Sequence, residues 1–83
     1  MTLRETRDLA ASIVREHNDL LNVTGVMPQH GSSRAEVLVE GDASPGRPCR
    51  LLLSSDRSSP EAFALSLQRA LVRALTRPPR HDS

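Results

Sequence analysis

Ala35-Glu36-Val37-Leu38-Val39-Glu40 and, after a short loop, Cys49-Arg50-Leu51-Leu52-Leu53-Ser54 decide the fold of this chain. Side chains on a strand point to alternate faces, so a run that alternates buries one face and solvates the other. Ala35, Val37 and Val39 fall on one side of the first run, with Glu36, Leu38 and Glu40 opposite. Cys49, Leu51 and Leu53 are the inward set of the second, with Arg50, Leu52 and Ser54 outward. The intervening Gly41-Asp42-Ala43-Ser44-Pro45-Gly46-Arg47-Pro48 holds Pro45-Gly46, which suits the centre of a type II turn. The two runs are therefore predicted to pair as a hairpin. Glu36 and Glu40 then face Arg50 across the outward surface, and Leu38 and Leu52 become cross-strand neighbours outside the core.

N-terminal to the hairpin, Val23-Thr24-Gly25-Val26-Met27 reads as a first strand closed by Pro28, followed by a polar loop through His30 to Arg34. Before it, Thr2-Leu3-Arg4-Glu5 is a capping box, in which the Thr2 hydroxyl accepts from the amide three residues on and Glu5 reaches back. Leu3, Thr6, Leu9, Ala10, Ile13, Val14, His17, Leu20 and Leu21 then recur at helical spacing, which predicts a helix ending near Leu21 or Asn22. After the hairpin, Ser58-Ser59-Pro60-Glu61 opens a second helix. Either serine can cap it, and proline loses nothing in a first turn. Phe63, Ala64, Leu67, Ala70, Leu71, Ala74 and Leu75 form its core face, and fraying is expected around Thr76-Arg77. The expectation is one α+β domain over residues 1–77, in α-β-β-β-α order, with both helices on one face of a three-stranded antiparallel sheet. Residues 78–83, rich in proline and charge, are expected to be disordered.

Eighty-three residues, 37% of them hydrophobic and 1% aromatic, allow only a small aliphatic core around Phe63, the one aromatic residue. A domain of this size has a stability of about 3–8 kcal/mol. Burial across a homodimer interface is one way to supplement it. The formal net charge is +1, and all eleven basic residues are arginine, as the composition of a GC-rich bacterial genome would give. Without lysine there is no Schiff-base lysine, no lysine general base and no Walker-type phosphate lysine. The single cysteine, Cys49, forms neither an internal disulfide nor a cysteine-based zinc cluster by itself. The first residues lack the apolar run of a signal peptide, and no segment reaches membrane-spanning length, so a cytoplasmic location without membrane association is expected.

Candidate chemistry is sparse. His17 lies in the apolar stripe of the first helix, where a structural, partly buried histidine is the commoner case than a pH switch or a ligand. His30 sits in a loop, and with Cys49 or Asp56 it imitates a catalytic set only on paper. No nucleophile elbow appears, and Cys49 opens a strand, where no helix N-terminus lowers its pKa. His17, His30 and His81 share no ligand spacing, so no metal and no cofactor is expected. Arg69, Arg73 and Arg77 recur every four residues on the second helix, either as a phosphate-binding stripe or as cations that favour a helix C-terminus. Leu65 and Val72 lie beside the polar side of that helix, away from its core centre. With Leu38 and Leu52 they place apolar surface outside the core on two separate elements, which argues for a contact surface.

Some residues resemble those of the double-stranded RNA-binding domain. Pro28-Gln29-His30 is similar to the Pro-x-His of that family's loop between its first two strands. Ala35–Gly41 resembles its second strand and turn, and Ser58 and Ala62 match residues of its second helix start. The resemblance implies the same topology and, through its RNA mode, contacts to phosphates across a major groove. Ser59, Pro60 and Phe63 stand where the family carries three gripping lysines, Met27 replaces its loop glycine, and the glycines expected around the third strand are missing. The fold would then be kept for protein contacts. The expected function is a small non-catalytic module that regulates, inhibits or assists another protein, and that forms a homodimer. Leu38, Leu52, Leu65 and Val72 are its expected contacts, with Arg69 and Arg73 as a polar rim. The alternative is nucleic-acid binding through His30, Arg34, Arg69, Arg73 and Arg77.

Overall fold

The computed structural model describes residues 1–76, so Arg77 and the tail expected to be disordered lie outside the described residues. Helix α1 (Leu3–His17) leads into strands β1 (Leu21–Pro28), β2 (Arg34–Ser44) and β3 (Arg47–Asp56), and helix α2 (Pro60–Thr76) ends the described chain. The strands form one antiparallel sheet in the order β1-β2-β3. The α+β class and the element order are those expected from the sequence.

Local chemistry explains each boundary. Thr2 caps α1: its Oγ1 accepts from Glu5 N at 3.1 Å, and Glu5 Oε1 accepts from Thr2 N at 2.9 Å. The helix stops at His17, four residues before the expected end, because Asn18 leaves helical geometry and uses its side chain elsewhere. Its Oδ1 accepts from Leu20 N at 2.9 Å, and its Nδ2 donates to the Ala43 carbonyl at 3.0 Å on the distant hairpin. Leu20 is consequently exposed, and Leu21 is fully buried as the first residue of β1, opposite Gly41. His17 is exposed at the end of the helix, contrary to its expected place in the core stripe.

Strand β1 contains a register shift between Val23 and Gly25. Valines three positions apart cannot face the same way along a regular strand. The extra residue, Thr24, turns Val23 toward the core beside the buried Val26 and points its own hydroxyl at Glu40 Oε1, 2.9 Å away. Pro28 is accommodated within the strand because β1 is at the sheet edge, where a missing N–H breaks no ladder bond. The hairpin matches its reading: Leu38 pairs with Leu52, Glu40 with Arg50, and Ser44 with Arg47 across Pro45-Gly46, where Gly46 has the positive φ (79°) of a type II turn. Glu36 faces Ser54 in place of Arg50. At the start of α2, Ser59 is the capping serine: its Oγ accepts from Ala62 N at 3.1 Å, and Pro60 takes the first helical position.

One apolar cluster lies between the helices and the sheet. Ala10, Ile13 and Val14 come from α1, and Phe63, Leu67 and Leu71 from α2. Leu21, Val26, Ala35, Val37, Val39 and Leu53 line the sheet side, with Cys49 and Leu51 packed against it. Both helices therefore cover the same face. Each fully buried leucine or phenylalanine contributes about 1.5–3 kcal/mol relative to exposure. The opposite face of the sheet carries Glu36, Leu38, Glu40, Arg50, Leu52 and Ser54. Among the described residues no helix is long and apolar enough to cross a membrane.

Candidate functional site

Four of the residues expected to make contacts, Leu65, Arg69, Val72 and Arg73, lie on α2, which runs beside β3. Phe63, Leu67 and Leu71 anchor α2 from below, and the 3.6-residue period then leaves Leu65, Arg69, Val72 and Arg73 on its outer flank. Leu65 is 51% and Val72 48% exposed, while Leu52 on β3 is 57% exposed. A hollow of about 390 Å³ between the two elements is lined by Arg34, Ser54, Asp56, Leu65, Arg69 and Arg73, among others. A second hollow continues from Arg34 and Ser54 past Leu52 to Arg73 and Ala74, and a shallow one on the helix joins Leu65, Arg69, Val72 and Arg73. Arg73 borders all three.

Arg34 starts β2, yet its side chain reaches across to β3. Its Nε donates to Ser54 Oγ at 2.9 Å and its Nη2 to the Ser54 carbonyl at 3.2 Å. Two bonds to one residue fix the guanidinium at the strand edge, near Arg69 and Arg73. Asp56 is the acidic member of the site. The backbone N–H of Ser58, donating to its Oδ1 at 2.9 Å, holds the carboxyl below the usual carboxylate range, helped by the Ser58 hydroxyl and the Arg34 charge. Its own backbone N–H donates to Ser66 Oγ on α2 at 3.0 Å, which ties helix to strand.

Of the expected contact residues, Leu65, Arg69, Val72 and Arg73 share the outer flank of α2, while Leu52 lies across the β3 edge on the open sheet face and borders a hollow that also reaches Arg73. Leu38 sits half-buried behind Leu52 on the open sheet face. Of the alternative set, Arg34 joins Arg69 and Arg73, but His30 stays in the exposed β1–β2 loop and does not line the hollow. Met27 was not expected to belong to the outer apolar surface. It is 48% exposed at the β1 edge, and only the parity change made by the bulge reveals its direction. His17, His30 and Cys49 stand on three different elements. Among the described residues no three His, Cys, Asp or Glu side chains come together as a metal-binding group.

Comparison with known proteins gives no match: no family model, no curated protein and no solved structure is similar to this chain at a level that shows kinship. The resemblance to a double-stranded RNA-binding domain therefore rests on the quoted residues and the order of elements, and the family is not established.

Proposed function

We propose that this domain is a non-catalytic binding module that works by protein–protein contact, as a regulator, inhibitor or accessory subunit in the cytoplasm. One observation carries the reading: Leu65 and Val72, both about half exposed, lie with Arg69 and Arg73 on the outer flank of α2, beside a hollow that Arg34 closes from the sheet edge. Exposed aliphatics scattered singly need no explanation, but paired on one helix flank and rimmed by guanidinium groups they have the composition of an interface. The open sheet face, with Met27, Leu38 and Leu52, offers a second apolar area on which a homodimer can form.

Paired substitutions test this. Leu65→Glu with Val72→Glu should abolish association while leaving the circular dichroism unchanged, because a glutamate costs little on an exposed helix face and much when desolvated at an interface. Arg69→Gln with Arg73→Gln should weaken association less. A second reading, nucleic-acid binding, draws support from the convergence of Arg34, Arg69 and Arg73. Micromolar or tighter binding of duplex RNA or DNA at physiological salt, with a steep salt dependence lost in the arginine variants and retained in the glutamate pair, would reverse the ranking.

A further inference from the structure

We propose, resting on the protein-contact reading above, that this surface takes an extended acidic segment of a partner protein, added as a strand to the outer edge of β3 with its carboxylates against Arg34, Arg69 and Arg73. The sheet order leaves β3 paired on one side only. In an antiparallel strand the N–H and C=O of a residue point to the same side, and the side alternates along the chain. The Asp56 N–H donates to Ser66 on α2, while the N–H of the next residue, Arg57, donates to the Ser33 carbonyl just before β2, so even-numbered residues of β3 turn their backbone groups away from β2. Arg50 and Leu52 have the same parity. Their N–H and C=O groups therefore point out along the same edge, between the Arg34 clasp and Pro48, which has no N–H to offer.

An open edge of this kind is a template for another strand, and proteins usually blunt it with charge, proline or a bulge. Here Pro48, the register shift between Asp42 and Ser44, and the Ser66 clasp blunt the two ends. Leu52, with its exposed side chain, is left in the middle. The charges facing the hollow are Arg34, Arg69 and Arg73 against Asp56 alone, and Arg50 lies further along the strand. Guanidinium forks match carboxylates in bidentate geometry, and the one at Arg34 is already held in place by two bonds. The backbone decides between an acidic protein and a nucleic acid. A strand edge presents donors and acceptors in alternation, which another peptide backbone satisfies. A phosphodiester backbone supplies acceptors only and leaves the outward carbonyls of Arg50 and Leu52 unmatched.

The test uses the full chain and a blocked, fluorescein-labelled octapeptide alternating glutamate and valine, with a glutamine–valine octapeptide as control. At physiological salt the acidic peptide should bind about tenfold or more tightly than the control, and Arg69→Gln with Arg73→Gln should remove about that factor. In amide exchange followed by NMR, the Arg50 and Leu52 N–H groups should gain protection on peptide addition. Leu52→Pro removes an outward donor without touching the ladder and should abolish binding. If that variant loses its circular dichroism, the question moves to the peptide. N-methylation of the alternate amides on one edge should then abolish binding, and on the other edge should not. Binding insensitive to methylation on either edge, or without protection at Arg50 and Leu52, overturns strand addition. Binding of duplex RNA with none of the acidic peptide also overturns it. Association lost in the Leu65/Val72 glutamate pair, together with a failed peptide arm, would refute the acidic strand and leave the protein-contact reading standing.

Discussion

Phe63 stands in the second turn of α2, fully buried, and is the largest side chain in the core. No other ring can fill the space it would leave, so Phe63→Ala should cost about 3–5 kcal/mol. In a domain of this size that should unfold a large fraction at room temperature, which a denaturant titration followed by circular dichroism would read. Gly41 is the backbone counterpart. Its φ of 143° lies outside the range of ordinary side chains, and a Cβ there would sit 2.1 Å from the Leu20 carbonyl oxygen, a backbone atom that also accepts from Asp42 N. Gly41→Ala should therefore add about 1–3 kcal/mol of strain and loosen the junction between α1 and the sheet. An unchanged denaturation midpoint would show that the β1–β2 ladder shifts freely at that point. Ser55 presents the reverse situation. Its Oγ is buried without a hydrogen-bond partner among the described residues, so Ser55→Ala should leave the melting temperature equal or higher.

At the scale of elements, two carboxylates fasten helix starts. Glu5 closes the capping box of α1, with the Thr2 backbone N–H the chief cause of its lowered pKa, and Asp56 receives the Ser58 N–H just before α2. A folded pKa depressed below the unfolded one gives stability that is full above the unfolded value and is lost as pH falls through the folded one. Thermal melts should therefore be flat from neutral pH to about pH 5 and fall below about pH 4. Replacing both residues, Glu5→Gln with Asp56→Asn, should make that fall shallower. Caps of this kind are legible in a sequence because they are local: Thr2–Glu5 and Ser59–Pro60 can be read within four residues. The hairpin was legible for the same reason, since period two persists on both sides of Pro45-Gly46. The end of α1 was not. Leu20-Leu21 fits either period, and the deciding bonds run from Asn18 to residues on a hairpin more than twenty positions away. The proposed contact surface is half legible. Leu65 and Val72 announce themselves by their place on a helix wheel, whereas the approach of Arg34 to Arg69 and Arg73 exists only once β2, β3 and α2 are assembled.

The whole molecule has an uneven distribution of apolar surface: one small core between helices and sheet, and a partly apolar second sheet face. Sedimentation equilibrium at micromolar concentration should give twice the chain mass, and Leu38→Glu with Leu52→Glu should return the monomer. A clean monomer at about 100 µM would exclude a dimer of physiological strength. The assembly of the chain follows from its meander. Every strand pairs with its sequence neighbour, and the packing of α1 against α2, with a bond from Arg57 Nη2 to the Met1 carbonyl at 3.3 Å, brings the two ends of the described chain together. Pairing of neighbours closes short loops, which costs little entropy and favours rapid folding. Under a stretching force the order reverses. The seam between the two helices should be loaded first, and the β2–β3 ladder, the longer of the two, should be the last to yield.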